Sequence, residues 1–149
     1  MALFPIGKMI PLQLRLWIGR KLFGLLDSNV VRVSWHRVIK GPCQLPELEA
    51  MQYVAQHTTI PVPKIHSTYT YQGALYIEME HIEGSNLAVA WMEGDLSADE
   101  RTTIMTELKD YVGLLRSLVP STQGVVASAR HGHILDCRIG PQSSGTAEP

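Results

Sequence analysis

Apolar residues along this chain recur with two periods, and the switches between them divide it into elements. Leu14, Trp17, Ile18 and Leu22 fall at helical spacing within residues 12–26, with Arg15, Arg20 and Lys21 elsewhere, so this stretch reads as an amphipathic helix. The stripe is expected to pack on the chain's own domain; lying on a membrane surface is the alternative for a basic helix. Val30–Ser34 alternates and is β-branched, and Arg37–Lys40 is a second short strand that Gly41–Pro42 should end. A helix follows, with Pro46 in its first turn, Glu47 and Glu49 near its positive end, and Leu48, Met51 and Ala55 as its buried stripe.

After His57 the string Ile60-Pro61-Val62-Pro63 cannot be helical and predicts an extended connector. Residues 65–71 and 74–79 read as two strands joined by a tight turn at Gln72-Gly73. Residues 81–86 read as a loop. The best-marked element opens at Ser97-Ala98-Asp99-Glu100, the pattern of a capping box. Ile104, Leu108, Tyr111, Leu115 and Leu118 then alternate in steps of four and three until Pro120, with Met105 and Val112 widening the stripe. A stripe so wide calls for a covering layer, or for self-association or a protein partner along residues 97–119. Helices grouped against an antiparallel sheet give an α+β domain. The tail from Gly140 to Pro149 is almost without apolar residues and is expected to be disordered.

Composition narrows the function classes. At 45% hydrophobic and 18% charged residues the 149-residue chain can build a core. A net charge of −1 gives no reason to expect nucleic acid as a partner. Cys43 and Cys137 have no metal-ligand spacing and read as reduced thiols. The apolar start is broken by Pro5, Lys8 and Pro11, well short of the roughly 20 residues of a membrane span. No targeting segment is read, and a cytoplasmic location is expected.

The chemistry suggested by this order is nucleotide binding. Phosphoryl transfer needs little covalent work from the protein; it needs phosphates neutralised and held in place. A lysine on a rigid strand, steadied by a carboxylate from the following helix, does this. Lys40 ends a strand, and Glu47 and Glu49 open the next helix. Successive helical positions point about 100° apart, so only one glutamate can meet Lys40. Glu47 is preferred, since Met51 lies four residues on and shares its face. Taken alone, a strand-end lysine before such a helix is a weak signal, and a solvated charge pair is the plainer reading.

Several strings together resemble the aminoglycoside-phosphotransferase and choline-kinase-like family, in its fungal form. They are Val38-Ile39-Lys40, the run from Glu47 to Val54, His57-Thr58-Thr59-Ile60-Pro61-Val62-Pro63-Lys64, and Tyr76 to Gly84. Leu114-Leu115-Arg116-Ser117-Leu118 and Leu135-Asp136-Cys137-Arg138-Ile139-Gly140 also fit, so the resemblance spans roughly residues 16–140. The string through Ile60-Pro61-Val62-Pro63 is the specific part. The resemblance implies a protein-kinase-like N-terminal lobe over residues 12–84, after a leading segment 1–11. A helical start of a C-terminal lobe would follow over 85–139. It implies ATP as the nucleotide and a small hydroxylated acceptor. Lys40 would touch the phosphates, Glu47 would hold Lys40, and Glu80, His81 and Ile82 would offer backbone groups to the adenine edge. Ile39, Ile60 and Met79 would line the pocket or simply fill the core.

The family's catalytic loop carries His-Gly-Asp with a later Asn, and a metal-binding Asp beyond. Here His131-Gly132-His133 has histidine in the aspartate position, no Asp follows Asp136, and no Asn follows Asn86. The expectation is therefore a truncated lobe that binds nucleotide weakly, lacks catalytic and metal residues, and is inactive alone. Magnesium would be required only in a complete enzyme. A non-catalytic binding or interaction module is the alternative.

Overall fold

The computed structural model describes residues 11–119, so the tail and the residues His131, His133, Asp136 and Cys137 lie outside the described part. The elements are α1 (Leu12–Phe23), β1 (Leu25–Asp27), β2 (Val30–Ser34), β3 (Arg37–Cys43), α2 (Leu45–His57), β4 (Ile65–Tyr71), β5 (Ala74–Glu80), α3 (Leu87–Glu93) and α4 (Ala98–Ser117). The five strands form one antiparallel sheet in the order β1-β2-β3-β5-β4. This is an α+β architecture.

Most elements lie where the periodicity puts them, and the departures have physical causes. α1 stops at Phe23 because Gly24 takes φ 75°, and Leu25–Asp27 then pair with β2. β3 continues through Gly41 and Pro42, joined by a cis peptide, to Cys43. β5 is long enough to pair with Cys43 through Leu75 after a register shift, a place where a strand tolerates proline. The β4–β5 turn holds Gln72 and Gly73 at φ 50° and 77°, both left-handed, as a two-residue hairpin requires. α3 falls in a stretch read without a helix. Asn86 accepts from the Ala88 amide at its start, and left-handed Gly94 ends it.

The sheet is covered by helices on opposite faces. Register places Val38, Lys40, Ile77 and Met79 on one face, where Leu48 of α2 closes a small core with Met51 against it. Ala55, expected in that stripe, is exposed. The other face carries Val31, Ile39 and Glu78, and α1 packs on β2 there. Ile39 is thus core, on the side of the sheet away from Lys40, and cannot line a pocket around it.

α1 does not dock through its apolar stripe. Leu14, Trp17 and Leu22 are exposed, against expectation, Ile18 is half-buried, and the buried position is Gly19. A Cβ there would stand 2.3 Å from the Arg32 carbonyl oxygen and 2.9 Å from Val31 Cγ1. Gly19→Ala must push the helix off the sheet, so unfolding stability should fall by about 1–3 kcal/mol, the usual cost of overpacking. An unchanged urea midpoint would mean that α1 is not seated so closely.

In α4 the capping box forms as predicted: Ser97 Oγ accepts from the Glu100 amide at 3.3 Å, and Glu100 Oε2 accepts from the Ser97 amide at 2.9 Å. Ser97→Ala should cost about 1 kcal/mol, read by hydrogen exchange in the first turn of α4. Exchange there indifferent to the substitution would show the cap to be idle. The stripe of α4 is only partly covered: Ile104, Tyr111 and Leu118 are half-buried, whereas Met105, Leu108, Val112 and Leu115 are exposed.

Candidate functional site

Lys40 and Glu47 meet across the β3–α2 junction. Lys40 Nζ donates to Glu47 Oε1 at 2.5 Å, and both side chains are about one-third exposed. The strand supplies a fixed origin, because Lys40 pairs with Val30 on one side and Ile77 on the other. α2 starts only two residues after β3, so its first turn is the part that can reach back. Glu47 stands there, whereas Glu49, two positions on, is buried. The Glu47 hydrogen bond holds the Lys40 ammonium above its ordinary pKa, against burial that would lower it. Lys40 is therefore a permanent cation near neutral pH, anchored at one side and open at the other.

Cys43 completes this corner: its Sγ lies 3.4 Å from the Lys40 carbonyl oxygen. Burial, then the Glu47 carboxylate, push its thiol up, so it is not an activated nucleophile.

The proline-rich string is a helix exit that delivers the chain to the end of β5. Thr58 Oγ1 donates to the Val54 carbonyl at 2.8 Å and accepts from the Ile60 amide at 3.2 Å, closing α2 and turning the chain out. Pro61 and Pro63 keep it extended. Lys64 then pairs with Glu80: the Glu80 amide donates to the Lys64 carbonyl at 2.9 Å, and the Lys64 amide donates to Glu80 Oε2 at 3.3 Å. The His81 amide donates to the His36 carbonyl at 3.0 Å, tying the same point to the β2–β3 turn. Of the three residues Glu80, His81 and Ile82, the first two have amides engaged inside the fold, and Ile82 is exposed. His81 Nδ1 is buried without a hydrogen-bond partner.

A charged cluster that sequence reading missed lies on the opposite face. Glu78 is 1% exposed. Arg15 grips its carboxylate with both terminal nitrogens, at 2.7 and 2.9 Å; Arg37 adds a bond at 3.2 Å, and the Tyr69 hydroxyl donates as well. Burial alone would raise the Glu78 pKa, but the bonds from Arg15, Tyr69 and Arg37 outweigh it and hold the carboxyl at about 2. With every group satisfied by a partner, the cluster reads as the lock between α1 and the sheet.

Among the described residues no three His, Cys, Asp or Glu side chains converge as a metal site. Two shallow grooves of about 550 and 440 Å³ run along α4 and do not reach Lys40. No described helix is long and apolar enough to cross a membrane.

Comparison of the chain with protein-family models, with curated proteins and with solved structures returned no match.

Proposed function

We propose that this chain is the nucleotide-gripping lobe of an ATP-dependent phosphotransferase of the aminoglycoside-phosphotransferase and choline-kinase-like type. The complete catalyst of that kind transfers a phosphoryl group to a small hydroxylated molecule. The observation that carries the reading is the Lys40–Glu47 ion pair joining the third strand to the helix after it. Protein kinases hold their phosphate-binding lysine with the same pairing of elements. Lys40 would neutralise the nucleotide phosphates, and Glu47 would fix its direction. The adenine edge would meet Ile82 and the carbonyl groups of Glu80 and His81, because the Glu80 and His81 amides are engaged within the fold.

These 149 residues supply no aspartate–asparagine pair in the catalytic-loop pattern, so the proposed activity is binding without turnover. Thermal denaturation of the chain with ATP, with and without magnesium, tests it. A concentration-dependent rise in midpoint is expected, little changed by magnesium and absent in Lys40→Ala. ATP turnover by the chain that Lys40→Ala abolishes would overturn the incomplete-site part of the reading. A midpoint indifferent to ATP would overturn the whole.

A further inference from the structure

The two edges of the sheet are finished differently. β1 is an edge of three residues, ends on the charge of Asp27, and shifts register against β2. Short length, charge and irregularity are the means by which native sheets discourage a neighbouring strand. β4, the other edge, has few of them. Its seven residues, Ile-His-Ser-Thr-Tyr-Thr-Tyr, include no proline and no Lys, Arg, Asp or Glu, and most are strong strand formers. Its one register shift lies at the start, between Ile65 and Ser67, and leaves residues 67–71 regular. Tyr71 and Ala74 close the two-residue hairpin as a hydrogen-bonded pair, and Tyr69–Tyr76 is the next such pair. Thr68 and Thr70 therefore direct their amides and carbonyls away from β5. Both residues are exposed, and no other described residue makes a backbone hydrogen bond to those groups.

A row of alternating amides and carbonyls is matched group for group by another extended strand. This edge is complementary to itself. With β4 of a second copy run antiparallel and centred on Tyr69, Thr68 stands opposite Thr70 in both directions, and Ser67 stands opposite Tyr71. The two Thr68–Thr70 pairs exchange about four main-chain hydrogen bonds. No like charges are opposed, and threonine meets threonine and Tyr69 meets Tyr69, pairings that stabilise antiparallel strands. We propose that two copies of this chain join edge to edge through β4, merging their sheets into one. The contact uses the same patch on both copies, and with β1 blunted it closes at two. Lys40 lies on β3, separated from this edge by β5, so the inference is independent of the nucleotide reading.

Sedimentation velocity of the full chain over a concentration series tests the proposal. A monomer–dimer equilibrium is expected. Thr68→Lys/Thr70→Lys and, separately, Thr68→Glu/Thr70→Glu should each weaken it by roughly tenfold, because like charges then face each other across the two-fold axis. An equal mixture of the two variants should regain the dimer, since lysine then meets glutamate. A merely structural defect would not recover on mixing. Both positions are exposed, so the fold should survive, as far-ultraviolet circular dichroism can verify. A parent that stays monomeric throughout the series would overturn the proposal. So would dimers that persist in both variants, or variants that remain monomeric when mixed. Dimers indifferent to the β4 variants but lost in Leu108→Gln/Leu115→Gln would overturn it as well, placing the second copy on α4.

Discussion

Arg15→Met is expected to destabilise the protein by about 3 kcal/mol, the largest loss from any single surface-reaching side chain here. The substitution keeps the aliphatic stem but leaves Glu78, 1% exposed, with Arg37 and Tyr69 alone. Breaking a buried pair from one side costs about 3–5 kcal/mol, and the two remaining partners keep the figure at the lower end. Arg15→Met/Glu78→Met should recover most of the loss, because no buried charge then lacks a partner. Urea unfolding of the three proteins checks this; a single variant within about 1 kcal/mol of the parent would show that the lock carries little.

The same cluster sets an acid limit. The Glu78 carboxyl is held at about 2 against an ordinary 4.5. Its folded pKa is depressed, so its stabilisation is complete above about 4.5 and is lost as pH falls toward 2. That span corresponds to about 3 kcal/mol. In Arg15→Met the decline should be smaller, because Glu78 then protonates more readily in the folded protein.

Lys40→Ala is expected to abolish measurable nucleotide binding while leaving the fold nearly as stable. Both members of the Lys40–Glu47 pair are about one-third exposed, and pairs of that kind contribute about 0.2–1 kcal/mol. The ammonium's role toward a phosphate is different in scale: it would be the principal cation at that corner. Glu47→Gln should weaken binding less, since the lysine keeps its charge and loses only its tether. Equal stability with unequal affinity is the signature that separates a binding lysine from a solvated pair.

The Lys40–Glu47 pair was legible in the sequence because it depends on local order alone: a β-branched strand, a short link, and a glutamate in the first helical turn. The capping box of α4 was legible for the same reason. The Glu78 cluster was not. Arg15 and Arg37 stand 63 and 41 residues from Glu78, and only the folded sheet brings them together with Tyr69. Read locally, Glu78 was one polar residue in an apolar strand. The orientation of α1 failed differently. Periodicity assumes that the apolar stripe faces the core, whereas α1 approaches through Gly19 and an arginine that reaches a buried carboxylate. α3 was missed although Asn86 and Gly94 bracket it; its seven residues are too few for a period to stand out.

The most direct test of the nucleotide reading is an ATP titration followed amide by amide in the 15N-labelled chain. Saturable shifts confined to Lys40 and its strand neighbours, the first turn of α2, and Glu80–Ile82 are expected, and they should disappear in Lys40→Ala. Unchanged spectra, or shifts that persist in Lys40→Ala, would contradict the assignment of this corner as a phosphate grip.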